Sequence, residues 1–180
     1  MTPEIVTIKL EPLTDEAIRP YGRMLQSKQT LFPEVEPGEG RVAIELLKIK
    51  PGRETGAIQI RHMAIHFSYN QTFVPLKGSM ILVLAPAPSR DGVAEAEYTL
   101  DFSRVKAFLL EAGQGAFIDK GVWHSGAVLP GIECEWLNVT RKNPGEKSSD
   151  QFASPAQRGY VEFVDIAKRD NKLIQIAAVK

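Results

Sequence analysis

Apolar residues in this chain fall in short runs, alternating or continuous, separated by proline, glycine and polar side chains. EIVTIKLEPL alternates and predicts an edge strand ended by Pro12. Thr14, followed by Asp15 and Glu16, reads as a helix N-cap, and Pro20 with Gly22 stops that helix within a turn or two. Residues 26–40 are polar and hold two prolines and two glycines, a surface loop. In RVAIELLKIK the apolar phase shifts after Leu46, which predicts a bulged strand, with an amphipathic helical turn as the second reading. AIQIRHMAIHF leads to a tight Pro75 to Gly78 corner and then to SMILVLA, a strand of the fully buried type. Residues 86–97 form a polar loop, VKAFLLEAGQGAFI a strand, turn and strand, and VWHSGAVLPGIECEWLNVTRK two strands joined at Pro130-Gly131. Residues 143–158 are the most polar part, a loop or linker into a small strand, YVEFVDIA. About ten strands at short intervals predict an all-β antiparallel barrel or jelly roll with a short N-terminal helix.

Composition narrows the class. With 180 residues the chain holds one domain over 1–180. Twenty-two basic and twenty-two acidic side chains cancel, which argues against nucleic acid and anionic membranes and leaves a small molecule as the expected partner. The lone Cys134 and an N-terminal stretch with no long apolar core predict a reduced, cytoplasmic setting.

The candidate chemistry sits in three histidines. His62, Ala64 and His66 are spaced to share one face of a strand, and His124 ends a second strand-like run, GQGAFIDKGVWH. If those strands are neighbours in a barrel, His66 and His124 converge on one interior.

The spacing from His66 to Gln71 to Gly78, and from Gly113 to Gly121 to His124, resembles the two cupin motifs. Four positions depart from them: Ala64 replaces the first histidine, Gln71 the glutamate, Asp119 the proline and Val128 the asparagine, with His62 on the face of Ala64 as a partial substitute. The resemblance implies the cupin-type double-stranded β-helix. EPLTDEAIRPYGRML with its Tyr21-Gly22 pair, HFSYNQTFVPLKG and GQGAFIDKGVWHSG together are similar to the ureidoglycolate lyase family, also called ureidoglycolate hydrolases. That resemblance implies a homodimer releasing glyoxylate and urea from ureidoglycolate in allantoin breakdown, with a divalent metal, nickel among the candidates.

Cleavage of this 2-hydroxy acid needs a base for the hydroxyl proton, an acid for the leaving nitrogen and an anchor for the carboxylate. His66 and His124, with Gln71 as a weaker oxygen donor and His62 in reserve, are the candidate metal ligands; zinc, manganese and iron also suit imidazole. If no metal is bound, His124 is the candidate general base, and His66 is a further catalytic candidate. Lys77 is the candidate carboxylate anchor and a catalytic candidate, Arg141 a second clamp because its fork matches a carboxylate, and Trp123 a wall of the substrate site or a core residue. Two other readings remain open at this point: a metal-dependent cupin lyase, isomerase or oxygenase on another small hydroxy or keto acid, and a non-catalytic binding cupin.

Overall fold

Strands dominate the computed structural model, which describes residues 2–49, 57–89, 98–143 and 163–177. In chain order they are β1 (Glu4–Ile8), β2 (Leu10–Pro12), helix α1 (Asp15–Ile18), β3 (Gly22–Met24), β4 (Arg41–Ile49), β5 (Ile58–Ile60), β6 (His62–Ala64), β7 (Gln71–Lys77) and β8 (Met80–Ala85). There follow β9 (Lys106–Leu110), β10 (Ala116–Ile118), β11 (Trp123–Val128), β12 (Cys134–Lys142), β13 (Phe163–Asp165), helix α2 (Ile166–Arg169) and β14 (Lys172–Ile176).

The pairing is nested. β8 pairs with β9, β7 with β10, β6 with β11 and β4 with β12, all antiparallel, as in one long hairpin. Winding that hairpin sends successive pairs to opposite sheets: β3-β10-β7-β12-β4 on one side and β13-β6-β11-β8-β9-β2 on the other. This is the jelly-roll barrel of the cupin type that the strand count and motif spacing predict. A third sheet, β1-β14-β5, lies outside it.

Local chemistry sets the corners. The Thr14 hydroxyl accepts from the Ala17 amide at 3.2 Å, and α1 stops at Ile18, two residues before Pro20. Gly78, at φ +72°, makes the turn from β7 to β8, and a Cβ there would stand 2.2 Å from the Glu133 carbonyl oxygen, so a side chain is excluded.

β8 shows how the core is divided. Met80, Leu82 and Leu84 enter one apolar cluster with Leu13, Ile18, Phe73, Phe108 and Trp136. Ile81, Val83 and Ala85 enter a second with Met63, Ile65, Trp123, Ile60, Ile174 and Ile176. The second cluster draws on β14 and β5 of the outer sheet, so β8 is covered on both faces and every residue in it is buried.

Several expectations are corrected. β4 runs in unbroken register against β12, from Arg41↔Lys142 to Ile49↔Cys134, so it has no bulge. Its phase shift is instead a change of face: Ile44 and Leu46 point outward, whereas Leu47 and Ile49 pack inward. The irregularity lies between β12 and β7: Glu135 pairs with Lys77 and Trp136 with Pro75, so the extra residue, Leu76, is on β7, and Pro75 lies inside that strand and not at its corner. A proline beside a bulge is tolerated without its N–H. The last strand reading, YVEFVDIA, ends at Asp165, because the Asp165 side chain accepts from the Lys168 amide and starts α2; its residues 160–162 lie outside the described residues. The tail after it supplies β14, parallel to β1. The polar stretch 143–158 lies outside the described residues beyond Asn143.

Candidate active site

Between the two barrel sheets lies a cavity of about 560 Å³. Its apolar lining includes Leu47, Ile49, Phe73, Met80, Val128 and Trp136, and its polar lining includes His62, His66, Gln71, His124, Asn138, Thr140 and Arg141.

His124 reaches it through strand alternation. Trp123 and His124 are consecutive on β11 and must face opposite ways: Trp123 enters the outer core and His124 the cavity. His124 Nδ1 lies 3.0 Å from the Val122 carbonyl oxygen. A carbonyl only accepts, so Nδ1 carries the hydrogen and the lone pair of the neutral ring belongs to Nε2. Ala64 is the register partner of His124, the place where the cupin pattern has its first histidine. His66 follows two residues later on the same side, its carbonyl accepting from the Gly121 amide at 2.6 Å. The His66 and His124 ring centroids are 4.7 Å apart, so the predicted convergence is present.

Two neighbours frame the pair. Tyr69 stacks on His66 at 4.4 Å, and the Arg141 guanidinium carbon lies 5.5 Å from the Tyr69 ring centroid. Arg141 is only 5% exposed, a cation held at the cavity wall and supported by an aromatic face. Gln71 donates from Nε2 to Asn138 Oδ1 at 2.9 Å, and its Oε1 is buried with no hydrogen-bond partner among the described residues.

Other candidates stand elsewhere. His62 lines the cavity edge, stacked on Phe163 at 4.9 Å and with Nε2 3.8 Å from Asp165. Burial pushes the Asp165 carboxyl up, but the hydrogen bond from Arg61, the Lys168 amide and the charges of Arg61 and His62 outweigh it and hold the group below the usual carboxylate range. Lys77 does not line the cavity. Its side chain is 69% exposed and its ammonium is 3.2 Å from Glu133, because six residues of extended chain carry it about 20 Å along β7 from Gln71. Trp123 is likewise no wall of the cavity: it is fully buried and donates its indole N–H to the Thr99 carbonyl at 3.3 Å.

Sequence reasoning missed Tyr69, Asn138 and Glu45. Alternation along β12 from the buried Cys134 would have put Trp136, Asn138 and Thr140 on the inner face.

For a divalent metal, the two imidazoles are suitable nitrogen donors and the Gln71 carbonyl oxygen is a neutral third. Among the described residues no group of three or more His, Cys, Asp or Glu could hold an ion. The donors thus fit a loosely held cation with most of its coordination sphere left to substrate and water.

A jelly-roll barrel with an imidazole pair and a buried arginine at its cavity defines the broad class, a cupin. Residues 30–157 match the ureidoglycolate lyase family model, and the chain belongs to that family. It is 28% identical over 160 residues to the ureidoglycolate lyase of Pseudomonas paraeruginosa (strain DSM 24068 / PA7), spanning 81% of this chain and 90% of that protein. To the ureidoglycolate lyase of Burkholderia mallei (strain NCTC 10229) it is 26% identical over 159 residues, 81% of this chain and 88% of the other. Among solved structures, the L-ribose isomerase of Cellulomonas parahominis with L-ribose aligns at a TM-score of 0.45 and 15% identity, over 77% of this chain and 64% of that one. No helix among the described residues is long and apolar enough to cross a membrane.

Proposed function

We propose that this protein is a ureidoglycolate lyase, cleaving ureidoglycolate to glyoxylate and urea. The observation that carries the reading is the His66–His124 pair, 4.7 Å between ring centres, in a cavity that also presents the buried Arg141. Arg141 binds the substrate carboxylate through its guanidinium fork and so orients the hydroxyl carbon. His124 Nε2 takes the hydroxyl proton; the oxygen lone pair forms the aldehyde C=O, the C–N electrons leave on nitrogen, and His66 donates the proton that completes urea. The apolar lining keeps bulk water from the glyoxylate as it forms.

In the metal-dependent form of the same reading, a divalent cation, nickel by the family resemblance, would be held by His66, His124 and Gln71 and would supply a Lewis acid that acidifies the bound hydroxyl in place of His124 acting as base. We further propose a cytoplasmic homodimer. The single buried thiol of Cys134 suits a reducing compartment. The outward side of β4, where Ile44 is 71% and Leu46 60% exposed, suits a second copy.

The test is glyoxylate release from racemic ureidoglycolate, corrected for spontaneous decay, with and without chelation and metal add-back. Stereoselective turnover is expected, lowered at least 10²-fold in His124→Ala and in His66→Ala while both variants stay folded. Full turnover in both variants would remove the pair from the mechanism.

A further inference from the structure

The cavity is larger than ureidoglycolate requires. It measures about 560 Å³. Ureidoglycolate, with the volume of about five waters at ~30 Å³ each, fills roughly a quarter of it. The side chains that line the rest are sorted by their position along the strands.

Polar groups gather at one end. Tyr69 carries His66 on its ring and has Arg141 near it, and Gln71, Asn138 and Glu45 form a hydrogen-bonded row across β7, β12 and β4. His124 stands against Phe73, with ring centroids 6.0 Å apart, and Phe73 is the register partner of Asn138. The imidazole pair is therefore level with the middle of β12. Arg141 lies beyond it in one direction and Trp136 in the other, five residues or about 16 Å apart along the extended chain. Around Trp136 the lining is apolar. Leu47 is its register partner and Met80 that of Val128, and these four pack with Ile49 in one cluster. Leu47, Ile49 and Val128 line the cavity and are only partly buried, which leaves apolar surface there for a ligand to cover.

A glycine widens that end. Gly126 lies on the inward face of β11, between His124 and Val128, and lines the cavity. Its φ is outside the left-handed region, and a Cβ there would meet only the tip of Met80, at an ordinary 3.4 Å. Neither backbone nor packing excludes a side chain. Glycine weakens a strand interior, and one kept where a side chain would fit marks a place where a ligand comes close.

We propose that the substrate this cavity fits best is a 2-hydroxyglycine whose nitrogen carries an apolar acyl group, that group lying over Gly126 among Leu47, Ile49, Val128 and Trp136. The inference rests on the ureidoglycolate reading for its reaction centre and changes only the group beyond the scissile bond. With the carboxylate at Arg141 and the hydroxyl carbon at the imidazole pair, the substituent on nitrogen is directed to the apolar end. In ureidoglycolate that substituent ends in an NH₂, which gains nothing from hydrocarbon walls. With an alkyl or aryl group in place of the NH₂ the same steps balance. The hydroxyl proton passes to His124 and the oxygen pair forms the C=O of glyoxylate; the C–N bond breaks with its electrons on nitrogen, and the proton from His66 completes a primary amide.

N-benzoyl-2-hydroxyglycine makes the test, since its cleavage releases benzamide and glyoxylate. Glyoxylate release is followed for it and for ureidoglycolate, corrected for spontaneous decay. Wild-type kcat/KM should be about tenfold higher for the benzoyl compound, with the difference in KM, as expected when an aromatic ring leaves water on binding. Gly126→Val should reverse that preference at an unchanged melting temperature, and Gly126→Ala should shift it the same way by less. A wild-type enzyme whose kcat/KM for ureidoglycolate is equal or higher overturns the inference and leaves the lyase reading standing. Folded Gly126→Val and Gly126→Ala variants that keep the wild-type preference also overturn it, because the ring then lies elsewhere. Cleavage of the benzoyl compound without cleavage of ureidoglycolate supports the inference and removes ureidoglycolate as the substrate. Cleavage of neither removes the reading and the inference together.

Discussion

The two sheets of the barrel have the same need and meet it differently. On the six-stranded sheet the outward residues Ile81, Val83 and Trp123 are covered by Ile60, Ile174 and Ile176 of the outer sheet. On the five-stranded sheet the outward residues Val42, Ile44, Leu46 and Leu76 are exposed, and no described element covers them. The inner faces differ in the complementary sense: the five-stranded sheet places Gln71, Asn138 and Glu45 inward, while β8 of the other sends only apolar residues inward. The five-stranded sheet thus lends the site an inward polar row, beside the His124 that β11 of the other sheet supplies, and leaves its own outward apolar residues exposed. It is also the sheet that has surface to offer a second copy.

The largest expected effect lies on the covered side. Trp123→Ala should lower stability by about 3–5 kcal/mol, read by chemical denaturation, because it empties a fully buried site in the outer cluster. Next, Ile44→Glu combined with Leu46→Glu should convert the proposed dimer to monomer in light scattering with little change in melting temperature. A double variant that stays dimeric would place the interface elsewhere. A smaller effect concerns Cys134, whose thiol burial pushes above its ordinary pKa. It should react with a disulfide reagent at neutral pH only as fast as the protein unfolds, because the thiolate is scarce and covered. The smallest is Lys77→Ala: with its ammonium at the exposed Glu133, the change should leave KM and melting temperature within error.

The Lys77 prediction marks where the sequence stopped being legible. His66 and His124 could be paired on paper because motif spacing fixes their places on neighbouring strands, and β11 lies beside β6 as that spacing requires. Lys77 was expected at a corner over Pro75 to Gly78, but Pro75 lies within β7 and Lys77 stands at the strand's far end, beside Glu133 and away from the cavity. Trp123 was a different error. Its position next to His124 already excluded it from the cavity, and its place in a family motif had outweighed the alternation. The Glu45–Asn138–Gln71 row was out of reach for a third reason. It joins strands whose register depends on the bulge at Leu76, and no local pattern announces which polar residues of β4, β7 and β12 will meet.

The parallel pairing of β1 with β14 sets a schedule for biosynthesis. Glu4 lies opposite Lys172 and Ile8 opposite Ile176, so β1, the first described strand, waits for the last described one before it has its partner. Until then the outer cluster lacks Ile174 and Ile176, and a nascent chain with a finished barrel still presents that greasy face to the crowded cell. Translation that pauses before residue 172 should prolong this exposure and give chaperones their opening.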